Sequence, residues 1–474
     1  MMQFVKNCKT SSIILCMYMI PIFIFGTYYR DDNGRVVSQY FDWDLDGRPL
    51  TDIIIKFLNF GGRLTDIAPM SQLIAIIISS ITCGIICSFI VKSNKLSVII
   101  SSTMLFISPF YIQNLLYRFD VVTMALSILF AAVPFLINCK IKAYIHAIVS
   151  FISIICLLTT YQASLPVFYS FILISFLTSD DLKNNVIRVF SGLSSLVVYY
   201  FVISPMYVGG GYAKHRAESI DVSSGSVIDT ISSNIYTLLK TAHILIDFKF
   251  ILVFSLLITM VLLKTSVLIK DKKINYKNVM FSLFFLCAFA SSFIIFFLLK
   301  KPVYEPRVMI GINAGIMIIC LIASRQNREF LDKLSLIAIL PPVLFFFSIA
   351  TNYINANKSY IEYEKDVMQI MHADYMSIGD GKKAYIYGYL NPPYITDQVL
   401  QKVPFLRGVV GSRIGPLTNY MSKSTYPLFK FEGYYSGDID ATYCDKVIKQ
   451  YNGIYSVISD NDIIIFSLKK IECK

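Results

Sequence analysis

The sequence predicts an α-helical polytopic membrane protein of about 11 transmembrane helices, followed by a small α/β C-terminal domain. Three observations carry this. Hydrophobic residues make up 55% of the 474 positions and charged residues only 16%, where an ordinary soluble protein carries about 25% charge. There is too little charge to clothe a chain of this length in water. Uncharged runs approach the roughly 20 residues that a helix needs to cross a bilayer, and they recur through the first three quarters of the chain. Between them, basic residues gather in every second connector.

The first run, 10–29, follows Lys6 and Lys9 in the manner of a signal peptide. It lacks a small-x-small cleavage site before Tyr28-Tyr29-Arg30, so it reads as a retained span. Further runs occupy 67–91, 96–117, 121–139, 189–213, 278–299, 308–324 and 334–357. The run 250–263 is short, but Lys264 can snorkel and extend it. The stretch 143–178 holds no Asp, Glu, Lys or Arg across 36 residues. That is too long for one span and enough for two, with Thr159-Thr160-Tyr161-Gln162 and Pro166 marking the turn. With the N-terminus in the cytoplasm, the inner connectors hold Lys92/Lys95, Lys140/Lys142, Lys183/Arg188, Lys270/Lys272/Lys273/Lys277 and Arg325/Arg328/Lys333. All are short and basic, as the positive-inside rule expects. A single crossing at 143–178 would move every later cluster outside.

Residues 1–351 are thus expected to form a transmembrane domain with outward loops at 29–68 and 208–248, and 352–474 a C-terminal α/β domain on the same outer face. In that domain Lys383–Leu390 reads as a strand and Tyr443–Tyr451 as a short helix. Tyr455–Ser459 and Asp462–Leu468 read as a hairpin. Its two cysteines, Cys444 and Cys473, face an oxidising compartment and are expected to form a disulfide, worth about 3–4 kcal/mol in the chain-entropy model. The other eight lie in or near apolar runs, no CxxC occurs, and no Cys/His cluster has zinc spacing; they read as small buried hydrophobes. The net charge of +12 follows from cytoplasmic loops. Because the aromatics sit inside apolar runs rather than along a basic stripe, nucleic acid is excluded as a partner.

The spans carry almost no ionisable residues at mid-depth, and only His146, near a span end, comes close. Ion-coupled transport, which keeps charges there for work, is therefore disfavoured. The first outer loop is the opposite case. Seven of the 31 acidic residues and the only Trp lie between 31 and 66. Thr51 can cap a short helix that stops at Gly61-Gly62, and its Ile/Phe/Leu face would let it lie on a membrane surface. Asp42-x-Asp44-x-Asp46-Gly47 begins like a calcium loop, but position twelve is Ile53, where a bidentate Glu is required. Asp44-Leu45-Asp46 looks like the Asp-x-Asp of nucleotide-sugar enzymes, yet on this topology it faces away from the nucleotide-sugar pool.

Asp31-Asp32 follows the first span at the water–lipid boundary. A carboxylate there could take a proton from an acceptor hydroxyl, with burial among Tyr28, Tyr29 and Phe41 raising its pKa. The pair also reads as a solvated, helix-flanking acidic pair. Phosphate recognition calls for guanidinium or ammonium groups on the same face. Lys214 and Arg216 supply one cluster and Lys300, Lys301 and Arg307 another; the ranking is Arg307, then Lys301, then Arg216. The same residues also read as snorkelling anchors.

Tyr28-Tyr29-Arg30-Asp31-Asp32-Asn33-Gly34-Arg35 together with Gly47-Arg48-Pro49-Leu50 resembles the type II O-antigen glucosyltransferases of serotype conversion. Beyond about residue 70 the likeness rests on span layout and size. The resemblance implies a C-type, polyprenyl-phosphate-sugar-dependent membrane glycosyltransferase (GT-C-like) of the bacterial inner membrane, working on the periplasmic side with inversion at the anomeric carbon. The implied donor is undecaprenyl-phosphate glucose and the implied acceptor a sugar of lipid-linked O-antigen. The catalytic base of that class maps to Asp31 or Asp32. Arg30, Arg35 and Arg48 in the matching strings join Arg216, Lys301 and Arg307 as candidate substrate-binding residues. No cofactor is expected; a divalent metal is permitted but not required. The alternatives are other envelope polysaccharide proteins: an O-antigen polymerase or ligase would place catalytic Arg and His in a large late loop, against which the acidic first loop argues, and a flippase would show a polar or charged central cavity along its spans, which the sequence lacks.

Overall fold

The structure is a computed structural model. It describes residues 2–26, 28–137, 141–178, 182–208, 227–245, 248–270, 299–300, 302–324, 329–378, 381–410, 430–439, 441–451, 453–460, 462–469 and 471. The chain packs as two compact units, one of Met1–Gly26 and Phe41–Ala350, the other of Thr27–Tyr40 and Thr351–Lys474. The division falls inside the helix Glu329–Ile378. The sequence placed all of 29–68 with the membrane domain; the structure divides that loop after Tyr40.

The first unit is helical. Five helices, Met2–Ile24, Met70–Ile90, Ala143–Thr160, Leu182–Tyr207 and Phe330–Ile378, are long and apolar enough to cross a membrane. Five shorter apolar helices accompany them, at Leu96–Ile107, Val121–Phe135, Gln162–Thr178, Lys249–Leu262 and Ile310–Ser324. The expected span 278–299 lies almost wholly outside the described residues, and Val227–Leu245, expected as loop, is a helix. Helix Leu165–Thr178 is buried along most of its length, which suits a segment with no polar face.

Small polar residues tie the helices together. Ser101 and Ser324 hydroxyls meet at 2.7 Å, Ser127 and Ser164 at 2.6 Å, and Ser195 donates to the Phe151 carbonyl at 3.1 Å. Where lipid is as apolar as leucine, such close small-residue contacts and hydrogen bonds are what bring helices together.

Two local predictions meet different fates. The run 143–178 divides where expected: Ala143–Thr160 ends, Tyr161 is extended at φ −154° and ψ 100°, and Leu165–Thr178 begins after a short 3-10 turn. The run 96–117 is not one span. Its helix stops at Ile107 because Ser108 precedes Pro109 and is held extended at φ −75°, ψ 148°. A second short helix, Ile112–Leu116, follows. Connectors also meet one another: Lys95 pairs with Asp332 at 3.1 Å, and Thr51 donates to the Thr160 carbonyl at 2.9 Å. That bond corrects the capping role expected of Thr51. Arg48 is the N-cap of helix Pro49–Leu58, without a side-chain cap, and Pro49 starts the helix with its backbone already set.

The second unit holds strands β1 (Lys383–Tyr387), β2 (Phe431–Tyr434), β3 (Val447–Tyr451), β4 (Tyr455–Asp460) and β5 (Ile463–Ser467). They form one sheet in the order β2-β1-β5-β4-β3. β1 runs parallel to both β2 and β5, while β4 is antiparallel to β5 and to β3. The expected hairpin is β4–β5. The helix expected at Tyr443–Tyr451 is instead a 3-10 turn, Ala441–Lys446, leading into β3. β3 is an edge strand, and its tyrosine and lysine bind a buried carboxylate. Asp374, on the helix Glu329–Ile378, accepts Lys449 and Tyr451 on one oxygen and Tyr455 on the other, the last two at 3.1 and 2.6 Å. The bond to Asp374, then that to Tyr451, pushes Lys449 up to about 12.

Cys444 is disulfide-bonded, and Cys473 lies outside the described residues. In unfolded, unreduced protein Cys444 should therefore resist a thiol reagent and react only after reductant. Equal labelling by mass spectrometry under both conditions would show that the bridge does not form.

Candidate active site

In the first unit the sequence Phe41–Asn59 folds over the helix ends as a turn followed by helix Pro49–Leu58. The 3-10 turn Asp44–Asp46 is closed by Gly47 at φ 74°, a left-handed position that favours glycine. Its carbonyl then accepts the Tyr199 hydroxyl at 2.8 Å and the Gln162 amide at 3.2 Å. The loop is thus fixed by its backbone before its side chains act.

Asp120 organises those side chains. It stands where helix Val121–Ala132 begins and is buried. One carboxylate oxygen accepts the Trp43 indole at 2.7 Å and an Arg48 guanidinium nitrogen at 3.2 Å. The other end of the Arg48 fork reaches Asp46 at 3.1 Å. The partners differ in access: the side chain of Asp120 is 7% exposed, that of Arg48 16% and that of Asp46 39%. Burial disfavours the Arg48 charge, but the carboxylates of Asp120 and Asp46 outweigh it and hold the guanidinium above its ordinary range.

Tyr161 joins this group to a second arginine. Arg48 lies over its ring, 5.8 Å from the centroid, and its hydroxyl donates to the Arg307 carbonyl at 3.0 Å. Burial pushes the Tyr161 hydroxyl above its usual range, against the pull of Arg307 and Arg48. Arg307 follows Pro306 and is held on every side. Its backbone N–H donates to Gln113 at 2.9 Å, its guanidinium donates to Tyr117 and lies over that ring, and it pairs with Glu305 at 3.1 Å. Nearby in sequence, Arg118 pairs with Asp66 at 3.2 Å. Four connectors of the first unit therefore meet through arginines, carboxylates and tyrosines.

Asp31 and Asp32 belong to the second unit, in the first turn of helix Asp31–Ser38. Acidic residues favour the positive end of a helix. Asp31 is exposed and Asp32 buried. Asp32 accepts the Tyr29 N–H at 3.4 Å, and Tyr29 itself donates to the Val409 carbonyl at 3.2 Å. Arg30 has φ 44° and lies over the Tyr29 ring, 5.5 Å from the centroid. Arg35 is buried, donates to the Tyr40 carbonyl at 3.4 Å and lies over the Tyr40 ring. The adjacent acids thus have different surroundings, as neighbours on one helical turn must.

Of the residues expected at a site, Arg48 and Arg307 are brought together about Tyr161. Arg216 and Lys301 lie outside the described residues. Sequence reasoning missed Asp120, Arg118, Tyr117, Tyr161 and Gln113; the signal was Arg118-Phe119-Asp120, a charged island between two apolar runs. Among the described residues, no three His, Cys, Asp or Glu side chains gather as a metal site.

An apolar helical bundle capped by paired arginines and carboxylates defines a membrane protein with a charged, loop-built site. Comparison with known families takes this further. Residues 20–319 match the family described as Glucosyl transferase GtrII, and the chain belongs to that glucosyltransferase family. It is also 26% identical over 413 residues, 83% of this chain and 84% of the other, to a Salmonella phage P22 protein described as an uncharacterized 55.3 kDa protein in the gtrB 5′ region. No solved structure gives a significant match.

Trp43 is the only tryptophan, so its emission reports on Asp120. Asp120→Ala leaves a buried indole N–H without its acceptor, a cost of about 1–3 kcal/mol. It should shift the emission maximum and lower the unfolding midpoint. Spectra and melting curves that match wild type would remove Asp120 from its organising role.

Proposed function

We propose that the protein is an inner-membrane glucosyltransferase that moves glucose from undecaprenyl-phosphate glucose to a sugar of the O-antigen on the periplasmic side, and so changes serotype. Family membership supports glucosyl transfer. The observation that carries the rest is the pairing of Arg48 and Arg307 about Tyr161, built partly from the Gly47-Arg48-Pro49-Leu50 string.

The reaction asks little of the protein. An acceptor hydroxyl attacks the anomeric carbon, the bond from that carbon to the phosphate oxygen breaks, and polyprenyl phosphate departs. Phosphate is already a good leaving group, so one base and a cationic phosphate site suffice. Arg48 suits the second task because its two carboxylates differ. Buried Asp120 fixes the guanidinium, and half-exposed Asp46 is a partner that a phosphate can replace without leaving the charge unpaired. Arg307, paired with Glu305, takes the same role. Asp31 is the base, since it is the exposed member of its pair; Asp32 is spent on holding the turn at Tyr29.

Transfer of labelled glucose to lipopolysaccharide in cells with and without the gene tests the whole reading. No difference would defeat it. Asp31→Asn keeps shape and removes basicity, so transfer should fall about 10²–10⁴-fold. Asp32→Asn should act mainly through the amount of folded protein. Near-wild-type turnover by Asp31→Asn protein at normal membrane level would place the base elsewhere.

The phosphate site has its own test. Arg307→Ala should raise the apparent KM for donor lipid at least about tenfold. Arg307→Lys keeps the charge but loses the planar fork and the ring contact with Tyr117, so it should remain impaired. An unchanged KM for donor lipid in Arg307→Ala would exclude Arg307 from phosphate binding.

A further inference from the structure

Three strands of the second unit, β2, β1 and β5, run parallel. Their carboxyl ends share one edge of the sheet, which is where open α/β sheets bind ligands. The segment after β1 is shaped to expose a ring there. Gly388, at φ 88°, passes so close to Lys469 that a Cβ would lie 2.8 Å from the lysine Cγ. Leu390 then turns inward, its carbonyl held by the Tyr360 hydroxyl at 2.5 Å. Tyr389, between them, is 71% exposed. Tyr434, the last residue of β2, is 46% exposed, and the two ring centroids are 6.1 Å apart. Pro392-Pro393 stiffens the chain leading to Tyr394, which opens helix Tyr394–Lys402, is 75% exposed and accepts the Gln398 amide on its hydroxyl at 2.6 Å.

Large exposed rings on a folded domain call for a partner. The chemistry here narrows its class. Residues 384–396 contain no Asp, Glu, Lys or Arg, and Lys469, beside Gly388, lies over the Tyr387 ring 5.0 Å from its centroid, so the segment that carries the exposed rings is itself uncharged. The rings are tyrosines, each with an apolar face and a polar tip, and exposed Asn391 and the Gln398 amide lie in the same segment. A pyranose presents the complementary surface, an apolar C–H face rimmed by hydroxyls. We infer that Tyr389 and Tyr434, with Tyr394, form a stacking platform for uncharged sugars of the acceptor polysaccharide, apart from the sugar that is glucosylated. The identification of that polysaccharide as O-antigen rests on the proposed function; the platform itself does not.

The test uses full-length protein in detergent and O-polysaccharide released by mild acid from lipopolysaccharide of cells lacking the gene. Tyr389→Ala with Tyr434→Ala should weaken equilibrium binding of the polysaccharide by roughly tenfold or more, the order lost with a stacking ring. The same variant should raise KM for the polysaccharide acceptor without raising that for donor lipid. Tyr389→Phe with Tyr434→Phe keeps the ring faces and should bind within about threefold of wild type. Wild-type binding by the alanine variant, or an equal loss in both variants, would overturn the platform; so would failure of wild-type protein to bind. The binding measurement needs no turnover. Wild-type protein that binds polysaccharide but transfers no glucose would refute the glucosyltransferase reading and leave the platform standing.

Discussion

One buried carboxylate ties the first loop of the helical unit to the helices beneath it. Asp120 sits at the start of an apolar helix, where an ionised group without donors would be costly. Two donors from the first loop, the Trp43 indole and the Arg48 guanidinium, meet that cost, and both belong to the same short stretch. The loop is therefore held to the helix bundle by electrostatics as well as by its buried apolar side chains, Trp43 and Ile55 among them. Gly47, held through its carbonyl by Tyr199 and Gln162, fixes the approach angle. Removing Asp120 would take the shared acceptor from the indole and the guanidinium at once, while the bonds to the Gly47 carbonyl and the Arg48–Asp46 pair remain.

Tyr161 then makes two arginine sites into one. It lies in the short break between Ala143–Thr160 and Leu165–Thr178, extended so that its ring faces Arg48 while its hydroxyl reaches the Arg307 backbone. The Arg48 guanidinium lies over the Tyr161 ring and the Arg307 guanidinium over that of Tyr117. Each carries its own carboxylate, Asp46 with Asp120 on one side and Glu305 on the other. On the proposed reading, an exposed carboxylate of this kind gives way to a donor phosphate with little change in net charge.

Much of this was legible in the sequence, for identifiable reasons. Charge-free stretches are one-dimensional signals, so several of the apolar helices and the break at Tyr161 could be read directly, while helix Val227–Leu245, which is less apolar, reads as a loop. Arg307 stood out because Pro306 and Glu305 flank it. Arg118-Phe119-Asp120 passed unnoticed because three residues between apolar runs read as a connector, and only the folded chain brings Asp120 to Trp43. Pro109 did carry a visible signal for ending Leu96–Ile107, but the uninterrupted apolar run outweighed it. The helix expected at Tyr443–Tyr451 gives way to a strand: Val447, Lys449, Gln450 and Tyr451 pair with β4, and Asp374 draws Lys449 and Tyr451 to one carboxylate. Which of Asp31 and Asp32 is exposed depends on the turn at Arg30, whose φ of 44° no propensity scale predicts.

The division of the first loop has a consequence for specificity. Residues through Tyr40 pack with the C-terminal unit, and those from Phe41 onward pack with the helical unit. On the proposed reading, Asp31 and the Tyr389–Tyr434 platform therefore belong to one unit, and the phosphate-binding arginines to the other. A base must meet the acceptor hydroxyl and a platform must hold the acceptor chain, so both acceptor tasks fall to the same compact body. The donor task falls to Arg48 and Arg307, which are held by Asp120, Tyr161 and Tyr117. A lipid phosphate is the same whatever polysaccharide is modified, and the residues that hold it are constrained by buried partners. Exposed rings at a sheet edge are under no such constraint. Acceptor choice can therefore change through surface substitutions around Tyr389, Tyr394 and Tyr434, with the cationic site left intact.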